Sequence, residues 1–247
     1  MIRILETTGD GSATLYVPQL DEHYHSVKGA HTESQHIFID MGLKASASPA
    51  PRVLEIGFGT GLNALLTLEE SLRSRRPVHN TGIERYPLSW DEVQPLHYSD
   101  HPLFRAMHLA PWDEDVALAP GFTLHKMQAD ATRFPENEER SMKDEEFPER
   151  ESRLPATPQG DPPFPIPHSS GYDVVYFDAF APEKQPEMWQ ESLFRGIWER
   201  LAPGGILTTY CAKGAVRRML QSIRFHVERL PGPPGGKREI LRARKAE

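Results

Sequence analysis

The 247-residue chain has one cysteine, Cys211, so an intrachain disulfide is impossible. It has no cysteine–histidine spacing of the kind that binds zinc. The histidines at 23, 25, 31 and 36 crowd the N-terminus without paired carboxylates, so we expect no metal. It also has no apolar run of about 18 residues and no apolar stretch behind a basic start. We therefore expect a cytoplasmic protein that does not contact membrane.

Hydrophobic content is low at 38%, and the chain contains 23 prolines. The segment 135–170 contributes to both, because it is first acidic and then rich in proline. Such a composition cannot bury enough apolar surface to offset the entropy lost on ordering. We therefore predict one domain over residues 1–247, with an N-terminal β extension at 1–50 and a disordered insertion at 135–170.

The charge is distributed unevenly along the chain. The net charge is −7, yet the segment from residue 211 to the end carries ten basic and three acidic side chains. A local excess of positive charge favours contact with a polyanion even when the total is negative. The candidates for phosphate contacts lie in two loops of this segment, Lys213, Arg217 and Arg218 in one and Lys237 and Arg238 in the other; an ordinary solvated basic surface is the alternative.

Strand and helix signals alternate along most of the chain. Short apolar runs predict seven strands, at 52–56, 78–83, 122–127, 172–177, 206–210, 226–230 and 238–242. Helical spacing between them implies a Rossmann-like α/β fold, a mostly parallel seven-stranded sheet with helices on both faces. The closing pair of strands has no intervening helix and should be antiparallel. Apolar residues at 15–17 and 36–39 suggest a small N-terminal β element.

A glycine-rich loop follows the strand at 52–56 and opens a helix. Its spacing is G-x-G-x-G and lacks the third glycine of the dinucleotide fingerprint. The acid Glu55 would repel a pyrophosphate but could accept hydrogen bonds from an ammonium group. S-adenosylmethionine has an amino acid end and no phosphate, so the loop favours this cofactor over NAD. The cofactor-binding candidates here are Glu55, Gly57, Phe58, Gly59, Thr60, Gly61 and Asn63.

Acidic residues follow three further predicted strands: Glu84, Asp130 and Asp178. In open parallel sheets, ligands bind outside the carboxyl ends of the strands. Glu84 could therefore accept the ribose hydroxyls and Asp130 the adenine amino group. Asp178 would face both the cofactor and the transferred methyl, which makes it the catalytic candidate. Each could instead be an ordinary surface or capping acid.

Leu54–Asn63 (LEIGFGTGLN) together with Asp178–Pro182 (DAFAP) resembles the tRNA 5-aminomethyl-2-thiouridine methyltransferases. The segments at 24–26, 33–39, 186–189 and 236–239 are also similar. The resemblance covers nearly all of the chain except 135–170. It implies the class I methyltransferase fold and methylation of the 5-aminomethyl group of wobble (2-thio)uridine, giving 5-methylaminomethyl-2-thiouridine.

The reaction that the resemblance implies lets us assign candidate roles to individual residues. Asp178 would orient the substrate amine and receive its proton, and the basic loops would hold the anticodon region of tRNA. The chain is similar to the stand-alone type without the flavin-dependent oxidase domain, so flavin is not expected. A methyltransferase of small-molecule amines and a nucleotide-dependent oxidoreductase are the two alternative hypotheses.

Overall fold

The computed structural model describes residues 2–133 and 171–246. The insertion predicted at 135–170 lies outside the described residues. An N-terminal antiparallel sheet comes first, in the order β1-β2-β3. Its strands are β1 Ile4–Thr7, β2 Ala13–Val17 and β3 Glu22–His23.

The main sheet has eight strands in the order β10-β11-β9-β8-β4-β5-β7-β6. They are β4 Arg52–Ile56, β5 Val78–Glu84, β6 Asp115–Ala119, β7 Phe122–Gln128, β8 Tyr172–Phe177, β9 Leu201–Thr209, β10 His226–Pro231 and β11 Glu239–Arg244. The five strands from β9 to β7 in this order are parallel. The pairings at the two ends are antiparallel.

The α-helices are α1 Ala30–Ser34, α2 Leu62–Ser74, α3 Trp90–Val93, α4 Pro102–Leu109, α5 Glu191–Arg200 and α6 Gly214–Ser222. A π-helical turn at Gln35–Asp40 continues α1, and 3-10 turns lie at Leu43–Ala45, Gln94–Leu96, Ala131–Arg133 and Pro186–Trp189. Within the described parts of the chain, no helix is both long and apolar enough to cross a bilayer.

The central strands are apolar because helices cover both faces of the sheet. In β8, Val174, Val175, Tyr176 and Phe177 are completely buried. Their side chains alternate between two hydrophobic cores, one on each face of the sheet. Parallel pairing brings the carboxyl ends of β4, β5, β7 and β8 to one edge, and that edge carries the candidate site.

The predicted Rossmann-like class is confirmed, as is the antiparallel pairing of β10 with β11. The sheet has one strand more than predicted, the edge strand β6, whose short apolar run at 116–119 is not among the predicted strands and none of whose residues is fully buried. The prediction of a strand at 36–39 was wrong. Ile37, Phe38 and Ile39 belong to the π-helical turn and are buried, and a short apolar run does not distinguish a buried strand from a buried helix.

Candidate active site

A cavity of about 310 Å³ opens at the carboxyl edge of the main sheet. Its walls come from the loops after four parallel strands, at 57–60, 84–86, 129–132 and 178–180. The N-terminal sheet supplies a further wall through Tyr24 and neighbouring residues. Ligand sites for small molecules have volumes of about 300 Å³ or more, so the cavity is large enough to hold one.

The glycine loop presents its backbone to this cavity. Gly57 and Gly59 have φ values of +90° and +49°, a region that L side chains rarely adopt. A Cβ on Gly57 would lie 2.9 Å from the carbonyl oxygen of Asp178, and one on Gly59 would lie 3.2 Å from the ring of Tyr24. Only glycine therefore allows the backbone to pass between these two walls.

Glu84 lies at the end of β5 and lines the cavity. Its carboxylate accepts hydrogen bonds from the backbone N–H of Gly59 at 3.0 Å and of Tyr86 at 2.8 Å. These two bonds fix the carboxylate between the glycine loop and the next loop. Its oxygens retain further lone pairs that a bound hydroxyl could use.

Asp130 also lines the cavity, in the loop after β7. One carboxylate oxygen forms an ion pair of 2.7 Å with Arg85. The other accepts hydrogen bonds from the backbone N–H and the hydroxyl of Thr132, at 3.0 and 2.7 Å. Asp130 is therefore a fixed acceptor whose negative charge is partly balanced by Arg85.

Asp178 follows β8 and lines the cavity beside the glycine loop. Its Oδ2 accepts a hydrogen bond of 2.9 Å from the side-chain amide of Asn63, in the first turn of α2. Burial raises the pKa of Asp178 to about 7, with a further upward contribution from Glu33; the Asn63 bond and the charge of Lys237 act in the opposite direction. The carboxyl group can therefore exchange a proton near neutral pH.

Two predicted cofactor residues lie behind this surface. Glu55 is completely buried and is not part of the cavity lining. Gly61 is buried as well and faces the ring of His108, whose Nε2 would be 2.8 Å from an added Cβ. The structure thus brings Gly57, Phe58, Gly59, Thr60, Asn63, Glu84, Asp130 and Asp178 to the cavity and leaves Glu55 and Gly61 beneath it.

The N-terminal sheet closes the cavity from one side. The Tyr24 ring meets the Phe180 ring edge-on, with centroids 5.3 Å apart. His25 shares a hydrogen bond of 2.6 Å with the Thr60 hydroxyl, and Lys184 forms a 3.0 Å ion pair with Asp21. Phe180 and Lys184 also line the cavity. In the sequence, only the place of Phe180 within the DAFAP segment and of Lys184 shortly after it indicated that they could line the cavity.

The predicted basic residues fall into two groups. Lys213 pairs with Glu183, and Lys237 pairs with the buried Glu33 at 2.7 Å while its amine lies 4.2 Å from the centroid of the Tyr210 ring. Within residues 2–133 and 171–246, the other three candidates form no ion pair; Arg217 is half-buried, and Arg218 and Arg238 are exposed. Lys237 therefore belongs partly to the surroundings of Asp178.

The amino-acid sequence is similar to those of known methyltransferases. A family described as S-adenosyl-L-methionine-dependent methyltransferase matches residues 163–246. The tRNA 5-methylaminomethyl-2-thiouridine biosynthesis bifunctional protein MnmC of Cupriavidus necator is 32% identical over 226 residues, which cover 88% of this chain and 31% of that protein. Its counterpart in Cupriavidus metallidurans is 31% identical over 264 residues, covering 100% and 35%. The chain thus spans about a third of the length of these relatives.

The solved structure of MNMC2 from Aquifex aeolicus has the same fold. Its TM-score is 0.70 at 23% sequence identity, and the match covers 100% of this chain and 72% of that one. The resemblance that the motifs indicated is confirmed by these sequence matches. The chain is thus similar over residues 163–246 to a family of S-adenosylmethionine-dependent methyltransferases and over most of its length to the corresponding part of the MnmC proteins, and it shares the fold of MNMC2.

Proposed function

We propose that this chain methylates the 5-aminomethyl group of (2-thio)uridine at the wobble position of tRNA, giving 5-methylaminomethyl-2-thiouridine. Two similar proteins carry that product in their names. The observation that carries the proposal is Asp178, a cavity-lining carboxyl group whose pKa is raised to about 7 by burial. A carboxyl group with a pKa near 7 can accept the proton that an amine substrate must lose before it is methylated.

A primary alkylamine is mostly protonated at pH 7, whereas only the neutral amine can attack a methyl group. The site must therefore remove a proton before or during transfer. Asp178 serves as the acceptor, since a general base works best with a pKa near the operating pH. The Asn63 amide keeps the Asp178 carboxyl group in one orientation, so that it can both orient the amine and receive its proton.

The residues around the cavity fit S-adenosylmethionine. A Cβ at Gly57 or Gly59 would fill space beside the cavity, so the backbone there can approach a ligand closely. Glu84 has fixed acceptor oxygens for the ribose hydroxyls. Asp130 lines the far wall, where an adenine amino group could donate to it. When bound, this cofactor supplies an activated methyl group. The protein's contribution is then mainly to position the amine.

The tRNA would lie over the cavity mouth with its anticodon region against the basic loops. Arg218 and Arg238 are exposed and form no ion pair within the described residues, so they can contact phosphates without breaking an internal interaction. Lys213 and Arg217 lie at the start of α6, near Arg218 in sequence. We assign Lys237 a contact with RNA through the part of its side chain that remains exposed.

The test is methyl transfer from labelled S-adenosylmethionine to tRNA carrying 5-aminomethyluridine at the wobble position. We expect incorporation into this tRNA, and none into the same tRNA with an unmodified wobble uridine. Digestion to nucleosides should place the label on the methylaminomethyl group. Equal rates with a free alkylamine would instead favour the small-molecule methyltransferase. Tight NAD binding without a response to S-adenosylhomocysteine would favour the oxidoreductase.

A further inference from the structure

A cluster of buried polar side chains includes Asn63 of the cavity wall and extends to two residues outside the cavity lining. It consists of Glu55 on β4, Asn63 on α2 and Asn80 on β5, with exposed fractions of 0%, 2% and 0%. Both oxygens of Glu55, the Oδ1 of Asn63 and both side-chain polar atoms of Asn80 are buried without a hydrogen-bond partner in the described part of the chain. Leaving a buried polar atom unpaired costs about 1–3 kcal/mol, so this cluster needs an explanation.

The balance of hydrogen-bond donors and acceptors in the cluster explains why these atoms are unpaired. An ionised carboxylate only accepts hydrogen bonds, and an amide oxygen also only accepts. Asn63 uses its Nδ2 to donate to Asp178, and its buried Oδ1 is left as an acceptor without a donor. With Glu55 ionised, both of its oxygens and the Asn63 Oδ1 are acceptors, and the Asn80 Nδ2 is the only donor among the five unpaired atoms. A proton on Glu55 turns one of them into a donor and resolves the conflict.

We propose that Glu55 is held in its protonated form as a positioning residue for Asp178. Its hydroxyl donates to the Asn63 Oδ1, and its carbonyl oxygen accepts from the Asn80 Nδ2. The Asn63 amide is thereby locked with its Nδ2 towards Asp178. The chain Asn80–Glu55–Asn63–Asp178 satisfies four of the five unpaired atoms and uses the direction of the observed Asn63–Asp178 bond.

The electrostatic surroundings agree with this arrangement. Burial raises the pKa of Glu55 well above its usual value, and the charge of Asp178 adds to the effect; the Asn63 and Asn80 side chains, which approach the carboxyl group, act against it. The remaining titratable groups around the two acids are Glu84 and Tyr176 near Glu55, and Glu33, Lys237, Tyr98 and Tyr210 near Asp178. Two carboxyl groups that repel each other do not both ionise readily, and Asp178, whose ionised form is favoured by the charge of Lys237, is the one that does.

The inference about Asp178 rests on the proposed function, but the protonation of Glu55 can be measured without it. Carboxyl infrared spectra of the purified protein at pH 8.5, above the pKa of about 7 of Asp178, should show a protonated C=O stretching band that the E55Q variant lacks. The same band should survive in D178N. Absence of the band from the parent protein would show that Glu55 is ionised, and its loss in D178N with retention in E55Q would place the proton on Asp178; either result would overturn the proposal.

The pH profile of kcat/KM supplies the functional readout. The acidic limb of this profile is the rise of kcat/KM with pH as Asp178 ionises. Glutamine is a neutral analogue that can donate to Asn63 and accept from Asn80, so the midpoint of this limb in E55Q should lie within about 0.3 pH unit of the parent value. If Glu55 were ionised, E55Q would remove a negative neighbour and shift the limb to lower pH, which contradicts the proposal. N63A is the matched comparison. It removes a hydrogen bond to the ionised Asp178 and should move the limb up by about one pH unit.

Cofactor affinity separates this role from a direct contact between Glu55 and the cofactor. Calorimetry with S-adenosylhomocysteine should give dissociation constants for E55Q and the parent protein within about threefold. A direct ion pair with the ligand ammonium would make E55Q at least about tenfold weaker, since hydrogen bonds to charged groups contribute about 1.5–3 kcal/mol. That loss would overturn the inference while leaving the proposed methyl transfer intact.

Discussion

The side-chain amide of Asn63 donates a hydrogen bond of 2.9 Å to the Asp178 carboxylate, joining two residues 115 positions apart. One lies in the first turn of α2, after the glycine loop, and the other follows β8. Strands β4 and β8 are parallel neighbours in the sheet, so the segments that follow their carboxyl ends lie side by side. The glycine loop and the Asp178 carboxyl group are thus fixed relative to each other.

Replacing Asp178 with asparagine should separate binding from catalysis. The side-chain oxygen of the new asparagine can still accept the hydrogen bond from Asn63, so we expect S-adenosylhomocysteine affinity to change by less than about fivefold. Methyl transfer should fall about 10²-fold or more, the usual contribution of a general base. The defect should ease as pH rises, because more of the amine is then neutral. Single-turnover rates from pH 6 to pH 9.5 measure this.

The parent profile is the control for that experiment. Its kcat/KM should rise with pH through about 7, where Asp178 ionises, and the limb at this pH should be missing from D178N. A variant that folds, binds the cofactor and transfers methyl at the parent rate would remove Asp178 from the mechanism.

The same substitution should stabilise the fold above neutral pH. The pKa of Asp178 is about 7 in the folded chain against 3.8 normally, so the stability it contributes is present below about pH 4 and lost as pH rises through about 7. Above that range the buried charge costs on the order of 1–3 kcal/mol, allowing for its partial exposure. D178N should therefore melt a few degrees higher at pH 8.5, with a smaller difference at pH 5.5. Equal differences at both pH values would contradict the shifted pKa.

The position of Asp178 could be predicted from the sequence because two strong signals meet there. The apolar run of β8 identifies a central parallel strand, and the carboxyl end of such a strand is where ligands bind. Glu84 and Asp130 follow β5 and β7 and reach the cavity by the same reasoning. Strand ends thus specify which loops form the site.

The burial of Glu55 could not be predicted in this way. An acid near the end of a strand points either to the ligand or into the sheet, and alternation along β4 alone does not decide between them because every residue of Val53–Ile56 is buried. The Lys237–Glu33 ion pair could not be predicted from the sequence either, since it joins residues 204 positions apart. A count of basic residues treats Lys237 as free, whereas the fold gives it a partner.

Arg218 and Arg238 provide the sharpest test of the RNA surface. Neither forms an ion pair within the described ranges, so R218Q and R238Q should leave the melting temperature unchanged. Each should weaken tRNA binding, and the double variant should flatten the dependence of log Kd on log salt by about one unit per lost phosphate contact. Electrophoretic or fluorescence titrations at several salt concentrations measure this slope.

Arg75 is the matched control for that series. It is exposed, and it follows the C-terminus of α2, about 20 Å of helix away from the glycine loop. R75Q should leave both affinity and salt slope at the parent values. If R75Q and the double variant weaken binding equally, the effect is one of total charge, and the anticodon surface lies elsewhere.

The ion pair of the buried Glu33 with the exposed Lys237 should set the working pH of Asp178 from two sides. Glu33 raises the pKa of Asp178, and Lys237 lowers it. K237M removes the positive charge and leaves the buried Glu33 carboxylate uncompensated, so the acidic limb of kcat/KM should move to higher pH. E33Q removes the negative charge and keeps the lysine, so the limb should move to lower pH. The two shifts should have opposite signs.

The double variant E33Q/K237M tests whether those shifts come from charge. With both charges gone, the limb should return towards the parent position, although each single variant moved it. A loss of RNA contact at Lys237 would act differently, because it raises KM for tRNA and flattens the salt slope without moving the limb. Shifts of the same sign in both single variants would show that they disturb packing around Asp178, and the electrostatic role of the pair would then be wrong.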